Sequence, residues 1–284
     1  MEEIKSVQYP KFSVAMSVYK KDSAEFFDRA LQSVMIKQTI LPNEVVLIVD
    51  GPVGDEIESV IKNYQEKGLQ LNVIRLQKNG GLGNALRLAV ENCSNELIAR
   101  MDSDDVAVEN RFEQQLKILQ ENPEIDVVGG DITEFIGEEE NIVSKRELPT
   151  NNADIKKYLK KRCPFNHMTV MFKKQTVLRA GNYQDWFCNE DYYLWLRMHL
   201  CESIFANSGT ILVNVRVGKE MYQRRGGRKY YKSEKRLQKF MLKSKIIGLG
   251  TYLSNVLKRF VVQVLMPNKL RGWAFKKFAR TKVK

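Results

Sequence analysis

The feature that most constrains the fold is an alternation over the first hundred residues. Short apolar runs take turns with stripes of apolar residues at helical spacing. Residues 11–19 (KFSVAMSVY) predict a buried strand. Asp22 then stands three residues before Glu25, a capping-box-like helix start. Phe26, Phe27, Ala30, Leu31, Val34 and Met35 follow on one helical face, and Pro42 closes the unit. Residues 44–49 (EVVLIV) form a second buried strand, running into Asp50-Gly51-Pro52. Ile57, Val60, Ile61 and Tyr64 make the next stripe, which ends at Gly68 as a C-terminal cap. A third strand covers residues 69–76. Gly80, Gly81 and Gly83 then make a tight loop before a helix carrying Leu86, Ala89, Val90 and Cys93 on one face, and a fourth strand covers 97–101.

Strand and helix in repeated succession with short connections predict right-handed βαβ units and a mostly parallel sheet covered on both faces. In such sheets ligands bind beyond the carboxyl ends of the strands. Tyr19, Asp50 and the run Asp102-Ser103-Asp104-Asp105 all fall at those ends. After Asp105 the pattern becomes α+β: a helix over 108–120, a strand over 126–135, an acidic turn over 137–141 and a basic helix over 154–162. A strand over 168–173 follows Asn166-His167, and a helix over 189–200 carries Glu190 and Asp191 in its first turn. Neither a linker nor an internal repeat separates this half from the first, so it extends the same mixed α/β sheet.

The 284 residues carry a formal charge of +12, placed unevenly. Residues 1–218 hold 26 basic and 32 acidic residues, whereas 219–284 hold 20 basic and two acidic ones, Glu220 and Glu234. This divides the chain into a mildly acidic catalytic domain, 1–218, and a basic tail, 219–284, suited to an anionic partner. Cys93, Cys163, Cys188 and Cys201 are scattered, with no CxxC pair, so neither a disulfide scaffold nor a structural zinc site is expected. The N-terminus lacks the basic and apolar regions of a signal peptide, and the catalytic part is expected in the cytoplasm.

Three carboxylates in four residues repel one another and invite a cation. Mg²⁺ or Mn²⁺ suits them, as hard ions that share carboxylates with phosphate oxygens. The same run also reads as a solvated turn with helix-capping aspartates. Asp50 reads either as a strand-end group placed to meet a ligand or as a turn-former before Gly-Pro. Arg100 has two readings, a phosphate partner or an ion pair with the acidic run. For Tyr192 and Tyr193, sugar stacking and core packing both fit, whereas Trp195 is assigned to the core.

Taken together, six segments resemble family 2 glycosyltransferases of the GT-A fold: Ser17-Val18-Tyr19; Val49-Asp50-Gly51; Asn79-Gly80-Gly81-Leu82-Gly83-Asn84-Ala85; Ala99-Arg100-Met101-Asp102-Ser103-Asp104-Asp105; Asn166-His167; and Asn189-Glu190-Asp191. Their order and spacing are similar to that family over residues 11–218, most closely to bacterial enzymes of capsule, exopolysaccharide or lipopolysaccharide assembly. The resemblance implies a GT-A nucleotide-diphospho-sugar fold and an inverting, metal-dependent transfer of one sugar, with a UDP-sugar as the expected donor. It assigns the metal to Asp104 and Asp102, the ribose neighbourhood to Asp102, and Ser103 to the nucleotide-sugar site. Asp50 would meet the nucleobase, while Ser17, Tyr19, Gly80, Gly81, Asn84, Arg100 and His167 would line the nucleotide-sugar site. Asp191 would be the base that deprotonates the acceptor, with Glu190 beside it.

Gln223-Arg224-Arg225-Gly226-Gly227-Arg228 offers Arg224 and Arg225 as a clamp on the donor diphosphate. It departs from the QxxRW motif of processive members, so a single addition is expected. Further on, Ile246, Leu249, Leu253, Val256, Leu257, Phe260, Val261, Val264 and Leu265 recur at helical spacing, with Asn255, Arg259 and Gln263 on another face. Lys258 and Arg259 interrupt the apolar stretch, which argues against a spanning helix. Trp273, Phe275 and Phe278 alternate with Lys and Arg. Residues 246–284 thus predict an amphipathic segment on an anionic membrane surface, at the inner face of the cytoplasmic membrane, where a lipid-linked saccharide acceptor would be met. The other reading is a helix packed on the body. Two competing functions are a nucleotidyltransferase, disfavoured because no basic glycine-rich loop follows the first strand, and a nucleic-acid-binding protein, disfavoured by the acidic body and the lack of a nucleic-acid motif.

Overall fold

In the computed structural model, which describes residues 8–218, 226–267 and 280, the alternation becomes one sheet. Strands β1 (Phe12–Val18), β2 (Glu44–Val49), β3 (Leu71–Arg75) and β4 (Leu97–Arg100) lie parallel in the order β3-β2-β1-β4. Helices α1 (Ala24–Met35), α2 (Asp55–Glu66) and α3 (Leu82–Asn92) connect them. Period-two alternation sends Val14, Met16, Val45 and Leu47 into one core, with Phe27, Leu31, Val34, Ile61 and Tyr64 of α1 and α2. Ala15, Val46, Ile48 and Ile98 enter the other, with Ala85, Leu86, Ala89 and Val90 of α3. Both faces of these strands are thus covered, which is why they read as unbroken apolar runs.

One local expectation needs correcting. The N-cap of α1 is Ser23, whose Oγ accepts from the N–H of Phe26 at 3.4 Å. Asp22 turns back instead, and its carboxylate accepts from the N–H of Tyr19 at 3.1 Å. Gly68 does end α2 as expected, with φ at +69°.

The second half adds β5 (Val106–Ala107), α4 (Arg111–Glu121), β6 (Val127–Phe135), β7 (Ile142–Arg146), α5 (Asn152–Leu159), β8 (Met171–Lys173), α6 (Lys174–Arg179), α7 (Glu190–Leu200) and β9 (Phe205–Arg216). The sheet continues from β4 through β8, β6 and β9 to β5, with β7 paired to β6. β8 is antiparallel to both β4 and β6, and β9 runs parallel to β6. Strands β5, β7 and β9 were not expected from the sequence. In β9 the polar run Asn207-Ser208-Gly209-Thr210 breaks the alternation, and the ladder skips register opposite Gly129 to Asp131. The strand expected to start at residue 168 starts at Met171, because His167–Thr169 form a 3₁₀ turn.

Beyond the sheet lie α8 (Gly227–Lys243) and α9 (Leu249–Phe260), the latter continued by a π-helical turn over Val261–Leu265. Leu237 and Met241 of α8 join the core that contains Trp186 and Trp195, so α8 packs on the body. Among the described residues no helix is long and apolar enough to cross a membrane. Helix α9 settles which of its two faces turns inward. The polar face carrying Asn255 and Gln263 is buried, whereas Leu249, Leu253, Leu257, Val261 and Leu265 are exposed. The aromatic-basic segment with Trp273, Phe275 and Phe278 lies outside the described residues.

Candidate active site

Parallel pairing of β2-β1-β4 brings Tyr19, Asp50 and the acidic run to the same edge of the sheet. The N–H of Asp50 still donates to Val18 on the ladder at 2.8 Å, so its side chain leaves from the last ordered position of the strand. That carboxylate, 5% exposed, fastens the glycine loop. Oδ1 accepts from the N–H of Gly80 at 2.7 Å, and Oδ2 from Gly81 N–H at 3.0 Å and Asn79 Nδ2 at 2.8 Å. Asn84, one helical turn on, donates through Nδ2 to the carbonyl of Gly80 at 2.7 Å. The loop comes this near because Gly51 has φ +86° and a Cβ there would sit 2.6 Å from the nitrogen of Asn79. Asp50, Gly80, Gly81 and Asn84, expected as four binding residues, are therefore one hydrogen-bonded unit. Ser17 and Tyr19 lie half-buried beside it.

Carboxylate oxygens of Asp102, Asp104 and Asp105 lie within 4.8 Å of one another. Their mutual repulsion is met first from below. Arg100, 1% exposed, pairs through Nη2 with Oδ1 of Asp102. Arg111 is fully buried and donates to the carbonyl of Arg100 at 2.7 Å. Burial and the nearby Arg100 bring its guanidinium down to about 9. Asp105 is buried and accepts from the N–H of Arg216 at 2.9 Å, tying the acidic run to the end of β9. Ser103 donates to Asp22 at 2.8 Å, joining the run to the turn after β1. Asp104 is the exposed member. Crowding by protein atoms, then Asp102 and Asp22, push its carboxyl up to about 6. Burial and the same crowd of carboxylates hold Asp105 well above the ordinary range. Mg²⁺ or Mn²⁺ would relieve the repulsion of these crowded hard oxygens, and exposed Asp104 with half-buried Asp102 are the members open to it.

Glu190 and Asp191 open α7, where the helix N-terminus favours negative charge. Their loop is held by Asn189, 4% exposed, which donates to Ser233 of α8 at 3.1 Å. Oδ1 of Asp191 accepts from the N–H of Tyr192 at 2.6 Å, and Oδ2 from the Cys163 thiol at 3.4 Å. Arg146 braces this arrangement, donating to the Cys163 carbonyl at 2.9 Å and to Oδ1 of Asn166 at 2.8 Å. Asn166 in turn donates to the carbonyl of Gly130 at 2.8 Å. Burial, then Asp191, push the Glu190 carboxyl up to about 8, whereas the two hydrogen bonds to Asp191 favour its ionised form against the burial that raises it.

Arg100 links the two acidic groups. Its charge acts on Asp104 and Asp105 and also on Glu190 and Asp191, and Asp102 acts on Glu190. His167 belongs to the same neighbourhood. Its Nε2 lies 2.9 Å from the hydroxyl of buried Tyr183, and burial with Arg100 holds its imidazole neutral, well below the usual histidine range. Of the aromatics after Asp191, Trp195 and Tyr192 are core, Tyr192 bonding the carbonyl of Leu159, while Tyr193 stacks half-buried on Trp186 at 4.2 Å. Arg224 and Arg225 lie outside the described residues.

Reading the sequence missed Asp22, Arg111, Cys163, Arg146 and Tyr183. Asp22 had a usable signal, for it follows a strand end just as Asp50 and Asp102 do. The other four are recruited from separate elements across the fold.

A family model described as "Glycosyl transferase family 2" matches residues 13–186. An Escherichia coli protein named UDP-Gal:alpha-D-GlcNAc-diphosphoundecaprenol beta-1,3-galactosyltransferase is 38% identical over 271 residues, covering 95% of this chain and 97% of its own. The amylovoran biosynthesis glycosyltransferase AmsE of Erwinia amylovora is 36% identical over 266 residues, covering 94% and 98%. The crystal structure of S. aureus TarS 1-349 in complex with UDP-GlcNAc superimposes with a TM-score of 0.63 at 17% identity, over 94% of this chain and 76% of that one, which shows a shared fold.

Proposed function

The chain belongs to glycosyl transferase family 2, and from that premise we propose that it moves one sugar, with inversion, from a UDP-sugar to a saccharide carried on a lipid diphosphate. The setting we infer is the assembly of a bacterial surface polysaccharide at the inner face of the cytoplasmic membrane. The named activity of the E. coli relative supports the lipid-linked acceptor, and the amylovoran relative supports the polysaccharide setting. One observation carries the reading. The N–H of Arg100 donates to the carbonyl of Val170 at 2.9 Å, just past Asn166-His167, and Arg146 holds both Asn166 and Cys163, whose thiol meets Asp191, so one network of contacts supports placing the acidic run and the candidate base in one site.

In this reading Asp50 uses its remaining acceptor position for the nucleobase, since a carboxylate offers roughly four and the loop takes three. Ser17, Tyr19, Gly80, Gly81, Asn84 and Ser103 shape the nucleoside pocket around it, and Arg224 and Arg225 meet the diphosphate. Asp104 and Asp102 would hold Mg²⁺ or Mn²⁺, which when bound neutralises charge building on the departing diphosphate. Asp191 takes the proton from the attacking hydroxyl. The Tyr192 N–H and the Cys163 thiol favour its ionised form and aim it, and Glu190, which burial and Asp191 make hard to ionise, stands beside it. Neutral His167, held by Tyr183, lines the sugar side.

The test is a donor panel of UDP-, GDP- and dTDP-sugars with a lipid-linked saccharide and Mn²⁺, following nucleotide release and the anomeric configuration of the product. UDP release with inversion is expected. A retained configuration would overturn the base assignment. Pyrophosphate released from a nucleoside triphosphate would favour the nucleotidyltransferase reading.

A further inference from the structure

Helix α9 is mounted the opposite way round from an ordinary surface helix. Its polar face is the buried one. Nδ2 of Asn255, 7% exposed, donates to the carbonyl of Lys160 at 3.0 Å and to Oε1 of Gln238 at 2.9 Å. Arg259 pairs with buried Glu234 of α8 and donates to the carbonyl of Lys161 at 2.9 Å. The outer face carries Leu249, Leu253, Leu257, Val261 and Leu265, each 42% to 63% exposed, at a strict spacing of four. At 1.5 Å per residue the stripe is about 24 Å long. An apolar stripe of this length facing water calls for a covering partner.

The surrounding charge says which partner. Seven basic residues of α8, from Arg228 to Lys243, are exposed, as are Lys245 and Lys258. The one acidic side chain between residues 226 and 267, Glu234, is buried against Arg259. An apolar ridge among exposed charges of positive sign alone fits an anionic lipid surface, whereas a second copy would bring like charge against like.

We propose that α9 lies in the headgroup region of an anionic phospholipid bilayer, immersed along Leu249, Leu253, Leu257, Val261 and Leu265. The mounting also orients the catalytic end. The carbonyls held by Asn255 and Arg259 belong to the exposed turn that closes α5, two and three residues before Cys163, whose thiol meets Asp191. Docking through α9 would therefore hold the Lys160–Lys161 turn, and through Cys163 the Asp191 side of the site, next to the docked helix. This orientation rests on the acceptor reading above; the docking itself does not.

The experiment is vesicle flotation of the full chain without donor or acceptor, using phosphatidylglycerol-containing and pure phosphatidylcholine vesicles. Wild type is expected to float with the anionic vesicles. Leu253→Asp/Leu257→Asp is expected to cut the floated fraction at least tenfold at unchanged UDP affinity. Should that variant fold poorly, Leu257→Trp replaces it, and added quenching by brominated lipid, relative to wild type, is expected. Equal flotation of wild type and the double variant, or no added quenching, would overturn the proposal. So would a wild-type dimer that dissociates in the double variant while flotation stays the same. A chain that floats as expected but transfers no sugar would fail the activity reading and leave the docking intact.

Discussion

The thiol of Cys163 donates to Oδ2 of Asp191 across 3.4 Å, and the carbonyl of the same cysteine takes Nη2 of Arg146 at 2.9 Å. A residue 28 positions upstream thus supports the candidate base from a loop that Arg146 pins to the sheet. Cys163→Ala removes a donor to the ionised carboxylate, so the acid limb of the kcat profile is expected to move to higher pH. A fall in kcat of about tenfold should accompany it, in line with one hydrogen bond to a charged group, with KM for the donor unchanged. Cys163→Ser, which keeps a donor, should recover part of both effects. Steady-state pH profiles of the two variants check this, and an unmoved limb in Cys163→Ala would remove the positioning role.

Asp104 and Asp105 are adjacent yet differently employed. Asp104 is exposed, whereas Asp105 is buried on the N–H of Arg216. Asp104→Asn is expected to weaken Mn²⁺ binding by on the order of tenfold or more at unchanged melting temperature, as loss of a direct oxygen ligand should. Asp105→Ala, which leaves the N–H of Arg216 without its acceptor, is expected to lower the melting temperature. Calorimetric Mn²⁺ titration beside thermal melts distinguishes the two positions, and swapped effects would reverse the assignment.

Arg100 is buried and Asp102 is 28% exposed at its side chain. Replacing Arg100 by Met leaves Asp102 and its neighbours without their nearest countercharge. A loss of about 3 kcal/mol is expected, the low end for breaking a buried pair, because Asp102 keeps some water. Adding Asp102→Asn should return part of it. Urea unfolding of the single and double variants measures the coupling.

Glu190 gives a stability signature of its own. Its folded carboxyl titrates at about 8 against an ordinary 4.5, so the folded chain holds this proton more tightly than the unfolded one. The resulting stabilisation is complete below pH 4.5 and is lost as pH rises toward 8. Glu190→Gln cannot ionise. Its melting temperature relative to wild type is therefore expected to climb between about pH 5 and pH 8 and then level off. Thermal melts of both proteins across that range, without added metal, decide it. A flat difference would mean that Glu190 is not held protonated.

Much of the first half was legible because buried parallel strands and two-sided helices leave periodic marks. β1 to β4 and α1 to α3 match the apolar runs and stripes to within a few residues. The second half was less so. β9 is the longest strand, yet its polar run at Asn207 to Thr210 conceals it, since a bulged strand with polar bulge residues loses the period of two. β5 spans two residues and carries no period at all. Within the site, Asp50, Asp102, Asp104, Glu190 and Asp191 stand where a strand end or helix start places them. Arg111, Cys163 and Tyr183 do not, because their contacts cross between elements.

The sequence by itself determined the parallel sheet and the edge at which chemistry could gather. Both follow from local periodicity joined to the handedness of βαβ units, which leaves few topologies open. It also marked α9 as amphipathic. Only the tertiary structure decided which face of α9 turns inward, which guanidinium groups lie under the acidic run, and which thiol meets Asp191. A helical stripe records that two faces differ. Which face is buried depends on the partners offered by distant segments: here the carbonyls of Lys160 and Lys161, with Glu234 and Gln238, satisfy Asn255 and Arg259 and leave the leucines outside.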